Sequence, residues 1–266
     1  MRDAVLSLLL KIASRALLRR DRENGMMREM QRVFEFEDQR LAIKSGERDL
    51  SAVYVSAGVD APAFLICHGI GERVEYWGRV QRLLAETGVA SLVFDYSGYG
   101  ESSGSVSTAH CEEDAIAAYR ELVDQGHRSV FLVGFSLGTG VAVAIADRLP
   151  VSGLILCEAF STLREAGMAI GSPRWLTYAI PDGWRTVQRV CDLNQPVLVV
   201  HGDKDELFPL SMAKRIVDAC GDRARLMVME GMTHNAPIFQ PTESYWRPIA
   251  EWAKEWKQLP VEASQR

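Results

Sequence analysis

The chain has 266 residues, 47% of them hydrophobic and 24% charged, with a formal net charge of −5. That composition excludes a disordered chain, a collagen-like repeat and a disulfide scaffold. The 35 acidic against 30 basic side chains argue against nucleic acid as a partner, since such a partner calls for a basic face.

The first segment stands apart from the rest. Residues 1–20 contain one acid, Asp3, against Arg2, Lys11, Arg15, Arg19 and Arg20. Leu6, Leu9, Leu10, Ala13 and Leu17 share one helical face. The apolar stretch is too short to span a bilayer, and no small-residue cleavage site follows it as a signal peptide requires. Residues 1–30 therefore read as a basic amphipathic helical extension. Two uses of it stay open: a packing helix on the domain or a dimer contact, and peripheral contact with a membrane surface.

Beyond Asn24-Gly25 the pattern changes to strands. Residues 33–37 and 51–55 alternate as half-exposed strands, with the polar 44–49 segment turning the chain between them. Short apolar runs then follow at 63–67, 90–94, 129–133, 154–157, 196–200 and 226–229, each reading as a strand covered on both faces. Helical segments lie between or after them at 74–86, 112–124, 137–148, 211–219 and 243–257. This alternation predicts an α/β fold, a mainly parallel eight-stranded sheet with helices on both faces and the antiparallel pair at one edge. Residues 161–195, about thirty-five in number, are long for a plain connection and read as a small lid insertion. One α/β domain over 31–259 and a tail over 260–266 complete the division.

The five cysteines, Cys67, Cys111, Cys157, Cys191 and Cys220, include no Cys-x-x-Cys pair. They read as small buried hydrophobes in a reducing, cytoplasmic setting. Their spacing calls for no metal.

The strongest local signal is Gly134-Phe135-Ser136-Leu137-Gly138, between a strand and a helix. A serine on such a turn holds its hydroxyl clear of the backbone. The Leu137 amide opens the helix, where the first N–H groups lack internal partners. A serine needs a base to take its proton. Of five histidines, His234 follows the last predicted strand, in a loop that can return to the serine. An acid to orient that histidine belongs on an earlier loop, and His201-Gly202-Asp203-Lys204-Asp205 supplies two by position, Asp203 and Asp205. Asp205 is favoured because it lies further out along the loop, with Asp203 shaping the turn. His68-Gly69-Ile70-Gly71 ends another strand. Its Ile70 amide can pair with that of Leu137 as an oxyanion hole, with His68 bracing the loop. The glycine-rich run Asp95 to Ser102 lacks the Lys-Ser/Thr ending of a phosphate loop and reads as a structural loop near the site mouth.

Together and in this order, His68-Gly69, the Asp95-x-x-Gly98-x-Gly100-x-Ser102 loop, the Gly134–Gly138 elbow and Asp205 before His234 resemble the α/β-hydrolase superfamily. The resemblance covers about residues 30–257. The string from His201 through Asp205-Glu206-Leu207-Phe208-Pro209 looks like its serine aminopeptidase/monoacylglycerol-lipase-like, BEM46-like branch. The resemblance implies a catalytic set of Ser136 as nucleophile, His234 as base and Asp205 as acid, with oxyanion amides at Ile70 and Leu137. The expected activity is a metal-free, cofactor-free serine hydrolase of the carboxylesterase, lipase or thioesterase kind, acting on a small-molecule acyl substrate. The alternatives are a small-peptide or amide hydrolase with the same residues, for which Glu72, Glu75 and Glu158 are candidate amine binders, and a non-catalytic ligand-binding module. Tyr76, Trp77, Phe160, Trp175, Tyr178 and Trp184 are the candidate substrate-binding residues, although core packing suits the same side chains.

Overall fold

The computed structural model describes residues 38–58, 60–169, 174–178 and 184–257, apart from the side chains of Asp38, Trp175 and Leu176. The basic helix expected over 1–20, the strand expected over 33–37 and the tail over 260–266 lie outside the described residues.

Eight strands form one sheet: β1 (Asp38–Ser45), β2 (Arg48–Val55), β3 (Ala63–Cys67), β4 (Ala90–Phe94), β5 (Val130–Phe135), β6 (Gly153–Cys157), β7 (Val197–Gly202) and β8 (Ala224–Met229). Their order across the sheet is β1-β2-β4-β3-β5-β6-β7-β8. The β1–β2 and β2–β4 pairs are antiparallel, and β4 through β8 run parallel. Every residue of β3, β4, β5, β6 and β7 is buried, as a strand covered on both faces requires. Side chains alternate between the faces. Leu132 of β5 enters one core cluster, while Phe131, Val133 and Phe135 enter the other.

Each cluster is closed by its own helices. On the first side lie α2 (Thr108–Asp124), α3 (Leu137–Ile145), α6 (Thr186–Cys191) and α7 (Leu210–Cys220). On the second lie α1 (Gly78–Glu86) and α9 (Glu243–Lys257). The indoles of Trp246 on α9 and Trp77 meet edge to face at 6.0 Å, and Trp252 meets Phe131 at 5.9 Å. The remaining short helices are α4 (Leu163–Ala169), α5 (Arg174–Thr177) and α8 (Ala236–Phe239). Among the described residues no helix is long and apolar enough to cross a membrane.

Three expectations are corrected here. Residues 44 and 45 belong to β1, and the turn is reduced to Gly46-Glu47, because Leu41, Ile43 and Ser45 alternate inward beneath a polar exposed face. The segment 74–86 is not one helix: a 3₁₀ turn, Val74–Tyr76, precedes α1 and Trp77 separates them. The insertion is narrower than 161–195, because α6 packs on α3 and α7 and buries Val190 in the main core.

Candidate active site

The site gathers at the carboxyl ends of β5, β7 and β8, where loops of an open parallel sheet converge on a common crevice. Ser136 joins β5 to α3 with φ 50° and ψ −115°. The turn is held from below: the Ser136 N–H donates to the Cys157 carbonyl at 3.0 Å, and the Thr139 hydroxyl donates to the Ser136 carbonyl at 2.7 Å. Glycine at 138 is a matter of space. A Cβ there would stand 1.8 Å from the carbonyl oxygen of Cys67, so only glycine lets the elbow lie against the end of β3.

The loop after β8 brings His234 to this serine. His234 Nε2 lies 3.0 Å from Ser136 Oγ, and its Nδ1 lies 2.8 Å from Asp205 Oδ2. The loop passes β7 so closely that a Cβ on Gly202 would stand 2.2 Å from the Met232 carbonyl. The ring of Phe208, edge-on at 5.1 Å, and the tilted ring of Phe135 at 5.6 Å flank the imidazole. The Glu206 carboxylate accepts the His234 backbone N–H at 3.2 Å.

Asp205 sits in a nest of donors. Its Oδ1 accepts the Leu207 and Phe208 N–H groups at 2.7 and 2.8 Å. Burial works against its charge, but His234 and these two amides outweigh burial and hold the carboxyl below its ordinary range. An ionised Asp205 only accepts, so His234 Nδ1 carries the proton and Nε2 is left to accept from the Ser136 hydroxyl. The choice between the two aspartates is visible in their partners. Asp203 Oδ1 takes the Gly231 N–H, bracing the loop that carries His234 rather than touching the imidazole.

The Ile70 amide lies in the loop after β3 and the Leu137 amide at the first turn of α3. Among the described residues neither N–H has an acceptor. The loop that holds Ile70 is tied down by three hydrogen bonds. The Gly69 N–H donates to Glu72 at 3.0 Å, His68 Nδ1 bonds the Gly69 carbonyl at 2.8 Å, and the Tyr96 hydroxyl donates to the His68 carbonyl. Burial pushes the His68 ring down to about 4, so it stays neutral while bracing the turn. His201 is likewise buried and bonds the Phe208 carbonyl through Nε2 at 3.0 Å. In the Asp95 loop the aspartate accepts the Val74 N–H, and Ser102 Oγ donates to the Asp95 carbonyl. That loop is a structural strut.

The candidate substrate residues are not drawn together. Trp77 is fully buried in the second core cluster and donates its indole N–H to Glu72. Trp184 is 1% exposed, and its indole N–H reaches Glu112 on α2. Both serve packing, because their N–H groups find partners inside the protein. Tyr76 meets Phe239 edge to face, and Phe160 meets Phe208, which in turn touches His234. Tyr178 is 62% exposed beneath the Arg164 guanidinium. The side chain of Trp175 lies outside the described residues. The candidate amine binders do not form a cluster either: Glu72 is tied to Gly69 and Trp77, Glu75 pairs with Arg40, and Glu158 is fully buried. Sequence reasoning missed Phe208, Phe135 and Glu206 as the cradle of His234. A signal for the first and last existed in their place directly after Asp205.

A family model described as alpha/beta hydrolase fold matches residues 62–183, which hold the Ile70 loop, the elbow and the sheet strands between them. The chain belongs to the α/β-hydrolase superfamily. This hydrolase-family chain is 32% identical over 187 residues to an uncharacterized protein of Mycobacterium tuberculosis, covering 68% of this chain and 66% of that one. It is 29% identical over 180 residues to the lysophosphatidylserine lipase ABHD12 of Danio rerio, covering 59% of this chain but 47% of that protein. Among solved structures, an esterase of Pyrococcus furiosus matches with a TM-score of 0.70 at 19% identity, over 84% of this chain and 93% of that one. A soluble variant of the monoglyceride lipase of Saccharomyces cerevisiae matches with a TM-score of 0.69 at 14% identity, over 86% and 98%. These structures share the α/β-hydrolase fold.

Among the described residues, Glu158, Asp205 and His234 are the one group of His, Cys and carboxylate side chains close enough to share an ion. Both ring nitrogens of His234 already face Asp205 and Ser136.

Proposed function

We propose that the protein is a serine hydrolase that cleaves a carboxylic ester or thioester through an acyl-enzyme on Ser136. The observation that carries this reading is the continuous chain from Asp205 through His234 to Ser136 Oγ, with spacings of 2.8 and 3.0 Å. Ser136 Oγ attacks the acyl carbonyl as its proton passes to His234 Nε2. The carbonyl oxygen becomes an oxyanion facing the amides of Ile70 and Leu137, whose N–H groups have no acceptor among the described residues. The C–O or C–S bond then breaks as His234 returns the proton to the leaving alcohol or thiol. Water repeats the sequence in reverse, adding to the acyl-serine and releasing the acid. Asp205 keeps its charge throughout and stabilises the imidazolium. Each oxyanion donor lowers the barrier by on the order of 3 kcal/mol.

Support for an ester over an amide comes from the surroundings of Ser136. Among the described residues Glu72, Glu75 and Glu158 form no exposed cluster that could take a peptide amine, and one curated relative is a lipase. A fluorophosphonate probe is expected to label wild-type protein at Ser136, and Ser136→Ala and His234→Ala to abolish labelling. Equal labelling of Ser136→Ala sinks this mechanism. A panel of p-nitrophenyl acyl esters against aminoacyl anilides ranks the two bond types, and faster anilide cleavage overturns the ester reading.

A further inference from the structure

Among the described residues only two non-glycine residues have positive φ: Ser136 at 50° and Glu158 at 48°. They stand at the carboxyl ends of the adjacent strands β5 and β6. Strain of this kind persists where surrounding structure over-determines it, and it concentrates at functional sites. Ser136 has its role above. Glu158 has none yet.

The side chain of Glu158 is fully buried. The Gly202 N–H donates to both of its oxygens, at 3.0 and 3.2 Å, and the Tyr245 hydroxyl donates to Oε1 at 3.2 Å. Its carboxyl lies beside Asp205: one oxygen of each and a His234 nitrogen all lie within 4.8 Å of one another. Two carboxylates this close and this buried do not both ionise. Their partners decide which one keeps the proton. Asp205 receives two backbone N–H groups and the His234 N–H, with His201 Nε2 at 3.5 Å. Glu158 receives one N–H and one hydroxyl. The negative charge therefore settles on Asp205, and Glu158 stays a neutral acid. His201 Nδ1, at 3.7 Å from Glu158, is beyond reach of that proton.

We propose that Glu158 is a positioning residue: its neutral carboxyl donates a hydrogen bond to the Asp205 carboxylate and so holds Asp205 in line with His234. The inference rests on the catalytic reading of Asp205, His234 and Ser136 above. The ionisable groups facing Glu158 are Cys157 on its own strand, His201 on β7, Asp205 on the loop after β7, His234 on the loop after β8 and Tyr245 on α9. Burial pushes Cys157 and Tyr245 up out of the working range. Burial first, then the Asp205 charge, pushes Glu158 up to about 9 against the pull of Gly202 and Tyr245. Above that pH the pair carries two charges, and Asp205 is driven out of register.

The test is the rate of fluorophosphonate labelling at Ser136 against pH, in full-length wild type and Glu158→Gln. Glutamine keeps a neutral donor of the same shape. Wild type is expected to lose rate about tenfold per pH unit once pH passes about 9. Glu158→Gln is expected to stay within about threefold of wild type near neutral pH and to lack the alkaline fall. A variant that keeps the wild-type fall, or loses more than about tenfold near neutral pH while still folded, overturns the proposal. If Glu158→Gln fails to fold, carbon-13 NMR of wild type labelled in glutamate carboxyls decides. One glutamate titrating near pH 9 supports the neutral acid; all of them titrating in the ordinary range overturns it. Absence of Ser136 labelling at every pH instead removes the catalytic reading, and with it the positioning role, whatever the carboxyl titration shows.

Discussion

Asp205 and Asp203 lie two residues apart on one loop, yet only Asp205 reaches His234. Its Oδ2 is 2.8 Å from the imidazole, while Asp203 holds the Gly231 backbone on the neighbouring loop that carries His234. The two acids therefore differ in what their removal does. Asp205→Asn leaves the shape of the loop but disfavours the Nδ1–H tautomer. It is expected to lower kcat on the order of 10³–10⁴-fold with little loss of stability. Asp203→Asn is expected to cost about 1 kcal/mol of stability through a weakened bond to Gly231 and to keep its activity. Ester turnover alongside urea melts separates the two, and equal kinetic losses contradict the assignment.

The elbow tolerates no side chain where it touches β3. Gly138→Ala puts a methyl group into the Cys67 carbonyl, and the backbone has to move. A loss of about 1–3 kcal/mol or more is expected. Because the displaced segment also carries the Leu137 amide, Ser136 labelling is expected to fall beyond what the loss of folded protein explains. Labelling normalised to folded protein checks this.

Trp77 and Trp184 are core residues in this fold. Trp77→Ala and Trp184→Ala are expected to cost about 3–5 kcal/mol each, with acyl-chain preference unchanged in the folded fraction. Tyr178→Ala, at an exposed ring, is expected to stay within about 0.5 kcal/mol of wild type. Urea unfolding together with a chain-length panel of esters tests all three. A shifted chain-length profile in Trp184→Ala restores it as a substrate residue.

Stability is expected to fall as pH rises from acid toward neutral through one buried group. Burial pushes the Asp95 carboxyl up to about 7 from an ordinary 3.8. The folded state thus binds more protons than the unfolded state between those values, and stability declines with rising pH across that window. Glu158 acts in the same direction between 4.5 and about 9. Asp95→Asn keeps an acceptor for the Val74 N–H, and its melting temperature is expected to vary less with pH between about 4 and 7. A slope unchanged from wild type contradicts a protonated Asp95.

The sheet interior was readable from the chain because its strands are covered twice. The runs at 63–67 and 90–94 coincide with β3 and β4. The edge was harder. In β1, Arg40 and Lys44 face out beside inward Ile43, and such a mixture reads as a turn. Helix α2 begins at Thr108, where the Ser107 side chain accepts the His110 N–H. That capping contact precedes the apolar spacing that marks 112–124. The spacing of Ser136, Asp205 and His234 was legible because strand–loop context constrains where such residues stand. The aromatics were not. An indole in a loop looks the same whether it meets a ligand or, like Trp184, a glutamate on a distant helix. Glu158 was hidden for a related reason: its meaning depends on Asp205, which the sequence places 47 positions away.

Ser136 and His234 are separated by 98 positions in the chain. At about 5–20 residues per second of synthesis, a ribosome that has made the elbow works for some seconds before the imidazole exists. During that interval the hydroxyl is an ordinary alcohol on an unfinished sheet. The last strand and α9, whose Trp246 and Trp252 close the second core cluster, come later than everything the serine rests on. A nascent or carboxyl-truncated chain therefore carries the elbow without the base that activates it.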